Sequence, residues 1–185
     1  QGAASGQNLG NGPGKPSEQS EQGHGAGNGG HGSGGATKTG QPSLVHLLGG
    51  SSGGSSDRDG SGAGGGAIGL IASGKVKIEP NVYLSANGGN GVRSSASGAG
   101  GSIRIDAQSI ENLGRIEAKS GQGVKLSGTS QTRGSSGGRV ALHAQAEIHL
   151  GEVNVDGEWM TNSGSIFAGG SYYASSIDLN EGTLI

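Results

Sequence analysis

Gly101-Ser102-Ile103-Arg104-Ile105-Asp106-Ala107 decides how the rest of the chain is read. A glycine opens it. Apolar and polar residues then alternate with period two, the mark of a short strand with one buried face. The same figure recurs upstream as Gly66-Ala67-Ile68-Gly69-Leu70-Ile71-Ala72 and downstream as Gly138-Arg139-Val140-Ala141-Leu142-His143-Ala144. A weaker copy reads Gly164-Ser165-Ile166-Phe167-Ala168. These openings lie 35, 37 and 26 residues apart.

Each unit continues alike. A middle apolar position follows at Ile78, Ile110 and Ile148. A second short alternation comes next: Val82 to Ala86, Ile116 to Ala118, Val153 to Val155, and Ile177 to Leu179. Polar Gly-rich turns close the unit. The regular part is roughly 20 residues, and the length differences sit in Gly/Ser inserts at 92–100, 124–137 and 158–163. This spacing predicts an all-β fold, a right-handed parallel β-helix (single-stranded β-solenoid) of about three to four coils. The inserts are expected as loops along one edge. Ile68, Ile103, Val140 and Ile166 are expected as one inward ladder, with Leu70, Ile105 and Leu142 as the next. The corner glycines are expected to supply positive φ, and Pro80 to mark a corner.

The chain divides at about residue 60. Residues 61–185 carry the repeat. Residues 1–60 are a Gly/Ser/Asn-rich segment, either disordered or laid as loops on the body, as a cap or an inter-subunit arm. Leu44-Val45-His46-Leu47-Leu48 is its one apolar island and its expected anchor. Gly supplies 44 of 185 residues, against 29% hydrophobic and 3% aromatic. That excludes a wide core of ordinary type. Four prolines and no strict third-residue glycine exclude collagen. A net charge of −2 gives no footprint for nucleic acid or for a membrane surface, and no apolar run is long enough for membrane insertion. With no cysteine, disulfides and thiolate zinc sites are excluded. The opening Gln1-Gly2-Ala3 reads as a processed product, and Gln1 can cyclise to pyroglutamate.

Asp106, Glu117 and Asp178 fall in different columns or distant coils, so no carboxylate cluster for a polysaccharide lyase or glycosidase is expected. Asp57-Arg58-Asp59-Gly60 looks like the start of a calcium loop, but Ile68 stands where an EF-hand needs glutamate. His24 and His31 are seven apart in a Gly-rich tract, a weak metal pattern. No catalytic residue, metal or cofactor is therefore expected, and the chain reads as a non-enzyme. Trp159, Tyr172 and Tyr173 are the candidate subunit or glycan contacts, and Leu184 and Ile185 a candidate assembly edge.

The stretches Gly64-Gly65-Gly66-Ala67-Ile68, Ala86-Asn87-Gly88-Gly89-Asn90-Gly91, Gly98-Ala99-Gly100-Gly101-Ser102-Ile103 and Gly137-Gly138-Arg139-Val140-Ala141 carry a resemblance. Together they resemble the Gly-rich parallel β-helix repeats of large secreted and cell-surface proteins. More distantly they are similar to the shafts of filamentous-haemagglutinin-type adhesins. The resemblance implies an extracellular or cell-surface structural protein, a self-assembling subunit of a filament, sheath or adhesin shaft, whose main partner is itself. A carbohydrate-binding or pectate-lyase-like module, with polysaccharide as partner, is the alternative.

Overall fold

A computed structural model describes residues 12–13, 28, 36, 39–54, 60–93, 95–123, 134–158, 164–174 and 183–184. Among these residues there are ten strands and no helix. They are β1 (Ala67–Ile71), β2 (Lys75–Ile78), β3 (Tyr83–Ser85), β4 (Ser102–Ala107), β5 (Ser109–Asn112), β6 (Arg115–Glu117), β7 (Arg139–Leu150), β8 (Glu152–Asn154), β9 (Ser165–Ala174) and β10 (Thr183–Leu184). Every pairing is parallel. A seven-stranded sheet has the path β1-β4-β7-β5-β2, with β9 and β10 joined to it off β7. A separate three-stranded sheet has the order β3-β6-β8.

Register follows the apolar positions. Ile68 pairs with Ile103, Ile103 with Val140, and Val140 with Ile166. Leu70, Ile105, Leu142 and Ala168 form the next row, and Leu84, Ile116 and Val153 a row on the second sheet. These rows meet in one core that includes Ile103, Ile105, Ile110, Ile116, Leu142 and Ile148. All six are fully buried. β-Branched side chains stacked in register suit a pleated wall, and each such burial contributes about 1.5–3 kcal/mol.

The expected β-helix is not what these strands build. They form a curled half-barrel sheet plus a second, smaller sheet, rather than closed coils. One reason is β7. It runs unbroken for 12 residues, pairing β4 through its first half and β5 through its second. Two expected walls thus merge into one sheet, and the expected corner is a curl within it. The other reason is the Gly-rich side, which is not made of strands.

Most of the described part of the inserts does not lie as edge loops. Residues 95–101 and 134–138 are buried throughout. Backbone hydrogen bonds from 95–101 leave in three directions, each repeated at every third residue. Ala96 and Ala99 accept from Gly62 and Gly65, and donate to Gly54 and Ser51. Gly98 and Gly101 donate to the carbonyls of Gly89 (2.9 Å) and Ala86 (2.7 Å). Gly100 donates to Ser136 (3.0 Å), and the Ser97 carbonyl accepts from the Ser135 hydroxyl. About three residues per turn with no internal hydrogen bonds is the habit of a polyproline II helix. Here several such extended segments lie side by side and satisfy one another's backbone groups.

Glycine serves this array by close approach, not by positive φ. A Cβ on Gly98 would overlap the Ala63 carbonyl, one on Gly100 the Ala118 carbonyl, and one on Gly137 the Val155 carbonyl. Among the described residues, positive φ falls at Gly12 and Gly40 and otherwise at Leu44, Asn81 and Arg93. Asn81, after Pro80, turns the chain between β2 and β3.

Part of the N-terminal segment straps the outer face of the larger sheet. Arg139 Nε donates to the Thr39 carbonyl (2.9 Å). Nε2 of His143 lies 2.9 Å from the Ser43 carbonyl, and Arg104 Nη1 donates to that of Leu44 (2.8 Å). Leu47 lies against Gly69. The strap therefore crosses from β7 through β4 to β1. Of the apolar island, Leu44 is buried, whereas Val45 is 60% exposed. Further up the chain Asn28 is sunk in the body. Its amide donates to the carbonyls of Gly100 (2.6 Å) and Gly101 (3.1 Å), and its own carbonyl accepts from Arg139.

Candidate functional site

Repetition makes one end of the stack readable. The unit-opening glycines form a column. Ser102 donates to the Gly66 carbonyl, Arg139 to that of Gly101, and Ser165 to that of Gly138. A Cβ on Gly101, Gly138 or Gly164 would overlap the carbonyl of the glycine one unit earlier. At Gly66 it would meet nothing within 4 Å. The column ends there. Among the described residues, β1, β2 and β3 each pair on one side only. All three lie in the first unit, so among the described residues nothing pairs along its outer strand edge. Exposed apolar side chains sit along it: Ile71 at 86%, Tyr83 at 64%, and half-exposed Val82 and Leu70. Open parallel edges with apolar side chains are templates for further pairing.

Charge is arranged across the units. Lys75 pairs with Glu111 on the next strand, and Lys77 with Glu79 (3.0 Å). The hydrogen bond from Lys75 holds Glu111 below the usual carboxylate range. On the smaller sheet, Arg115 bonds Glu152 (2.7 Å) and lies 5.5 Å from the Tyr83 ring centre. Glu117 is buried beside it. Nδ2 of Asn87 donates to Glu117 Oε2 (2.9 Å), while Lys119 Nζ pairs with Oε1 at 3.1 Å. Burial raises the Glu117 pKa, but the hydrogen bonds of Asn87 and Lys119 and the charges of Lys119 and Arg115 outweigh it and leave the group lowered.

Two grooves mark the surface. One, of about 430 Å³, is lined by Ile71, Ala72, Asp106, His143, Gln145 and Gly169 among others. Two of its polar side chains are engaged: Arg104 clamps Asp106 with two hydrogen bonds, and His143 packs on Phe167 at 5.0 Å. The other, of about 420 Å³, runs from Lys119 to Gln122 and from Asp156 to Glu158. Glu158 is buried at its floor, accepting from the Gly123 amide and the Ser97 hydroxyl (2.9 Å). Burial raises its pKa above the usual value despite those bonds. Among the described residues no cluster of three or more His, Asp and Glu is placed to hold a metal.

The expected contact residues are placed in part. Tyr172 and Tyr173 lie on β9 opposite Ile148 and His149, and Leu184 lies on β10 opposite Ile166. Trp159 and Ile185 fall outside the described residues, as do His24, His31, Asp57, Asp59 and Asp178. Ile103, Ile105, Val140, Leu142 and Ile166 are fully buried, Ile68 is partly buried, and Leu70 is 36% exposed in the first unit. Sequence reading missed the first-unit edge and the Asn87–Glu117–Lys119 cluster. The signal for the cluster was there: Asn87 closes one unit where Lys119 closes the next. No protein-family model matches the chain, and comparison with curated proteins and with solved structures finds no match.

Proposed function

We propose that the protein is a non-enzymatic structural subunit, acting outside the cell or on its surface, that assembles with copies of itself. The open edge of β1, β2 and β3 is the contact. The observation that carries this reading is the glycine column, whose repeating contact pattern stops at Gly66 with space beyond it. A second copy is favoured over the chain's own strap, because among the described residues the strap runs over the face of the sheet from His143 to Gly69 and does not pair with the edge. Parallel in-register pairing rewards an identical partner, since like apolar rows extend one another, and a head-to-tail contact extends into a filament where its rotation does not close a ring. Light scattering across a concentration series, with negative-stain microscopy, tests it. Assemblies that lengthen with concentration are expected. A monomer throughout, with no ordered particles, rejects the reading.

A further inference from the structure

We propose that Lys119 and Asn87 are joined by an intramolecular isopeptide bond, formed on Glu117. The three side chains meet where the second unit follows the first. One carboxylate holds both reacting groups: Oε2 accepts from the Asn87 amide nitrogen at 2.9 Å, and Oε1 pairs with the Lys119 ammonium at 3.1 Å. Glu117 is buried, with its side chain only 10% exposed. The Asn87 carbonyl oxygen is engaged as well, accepting the backbone N–H of Lys119 at 2.8 Å. That donor polarises the carbonyl and stabilises the negative charge that develops on it during attack.

The chemistry balances without a further reagent. Glu117 takes a proton from the Lys119 ammonium, leaving a neutral amine. The amine nitrogen attacks Asn87 Cγ and forms the new C–N bond. The proton held by Glu117 passes to Nδ2 and the Cγ–Nδ2 bond breaks; Glu117 then takes the second proton from the former lysine nitrogen and passes it to the departing ammonia, which leaves as ammonium. Glu117 ends as it began. Nothing is oxidised or reduced.

Asn87 precedes a glycine, so its amide has a second suitor, the Gly88 nitrogen, whose attack would give a succinimide. The fold restrains that route, because the Gly88 N–H is bonded to the Lys119 carbonyl at 2.8 Å. Three residues on, the chain supplies its own control. Asn90 Oδ1 accepts from the Gln122 amide, and Gly91 donates to the Gln122 carbonyl, both at 2.8 Å. The backbone frame is the same, but Gln122 stands in the place of the lysine. Asn90 therefore stays unlinked. In a chain without cysteine, the bond does the work of a disulfide, closing the loop between two units.

Intact mass and tandem mass spectrometry of the purified full chain test this. The expected result is a mass lower by one ammonia, with peptides containing Asn87 and Lys119 recovered as one branched species. Lys119→Arg and Glu117→Gln are each expected to restore the ammonia, with melting lowered on the order of 10 °C for the loss of the link. Pyroglutamate at Gln1 and a succinimide also lose ammonia, so the site must be mapped. Linear peptides with Asn87 and Lys119 both intact overturn the proposal. So does an ammonia loss that persists at Asn87 in Lys119→Arg.

Discussion

The two sides of this molecule hold together by opposite means. On the strand side, Ile103 and Ile105 stack on Val140 and Leu142 across paired strands, and side chains fill the space between this sheet and Ile116 and Val153 of the smaller one. On the Gly-rich side, Gly62, Gly65, Gly98 and Gly101 bring backbones so near that amide and carbonyl groups are the packing surface. The first side gains from apolar burial and tolerates imperfect fit within limits. The second gains from satisfied hydrogen bonds and dense backbone contact, and has no slack for even one methyl group. A chain with 29% hydrophobic residues can bury a core because only one side of it needs side chains.

The largest effect should come from adding a methyl group to the glycine side. Gly101→Ala places Cβ inside the Gly66 carbonyl and against the Gly65 backbone, neither of which can swing away. A loss of about 4 kcal/mol or more is expected, seen as failure to fold or a collapse of the urea midpoint. A fully folded, wild-type-like variant would show that the segments do not lie this close. On the strand side the test is removal. Ile105→Ala empties part of a fully buried row and should cost roughly 3 kcal/mol in denaturant unfolding. If Ile105→Ala proved the more damaging of the two, the contrast between the sides would fail.

Sequence displayed the strand side and concealed the other, for a physical reason. Period two is written in side chains, so Ile103, Arg104, Ile105 and Asp106 announce a strand. Period three in the Gly-rich segments is written in backbone hydrogen bonds, and glycine carries no mark of which direction its N–H faces. Ala96 and Ala99, three apart and each bonded to the same two neighbouring segments, are a faint trace. The inserts therefore read as loops although 95–101 and 134–138 are buried. Nor did alternation tell a closed coil from a curled sheet, because the same apolar rows serve both. Asn28 and the Glu117 cluster depend on contacts 30 or more residues distant, which no local pattern encodes.

A smaller effect, read through pH, should separate two buried carboxylates. Burial raises Glu158 in the array, so its proton is held more tightly in the folded state. Its stabilising contribution is complete below the unfolded value of about 4.5 and is lost as pH rises through the folded value. Glu117, lowered by its partners, works the other way and loses its contribution as pH falls. Glu158→Gln should therefore gain in melting temperature relative to wild type as pH rises through and above about 4.5. A difference that stays constant over that range would mean Glu158 does not titrate as a buried group.

The smallest effect on stability, and the most informative on assembly, belongs to Gly66→Ala. Gly66 opens its unit as Gly101 does, yet its Cβ would project into open space. The isolated chain should keep its stability to within about 1 kcal/mol, with a slight gain possible from the restricted unfolded state. If a second copy continues the column, its backbone must come where the carbonyl of Gly66 comes against Gly101. The added methyl group would then meet that backbone, as it does inside the stack. Gly66→Ala should thus leave the melting curve of the dilute protein unchanged and abolish lengthening in the concentration series. Assembly that proceeds unhindered would move the contact away from this edge while leaving the contrast between the two sides intact.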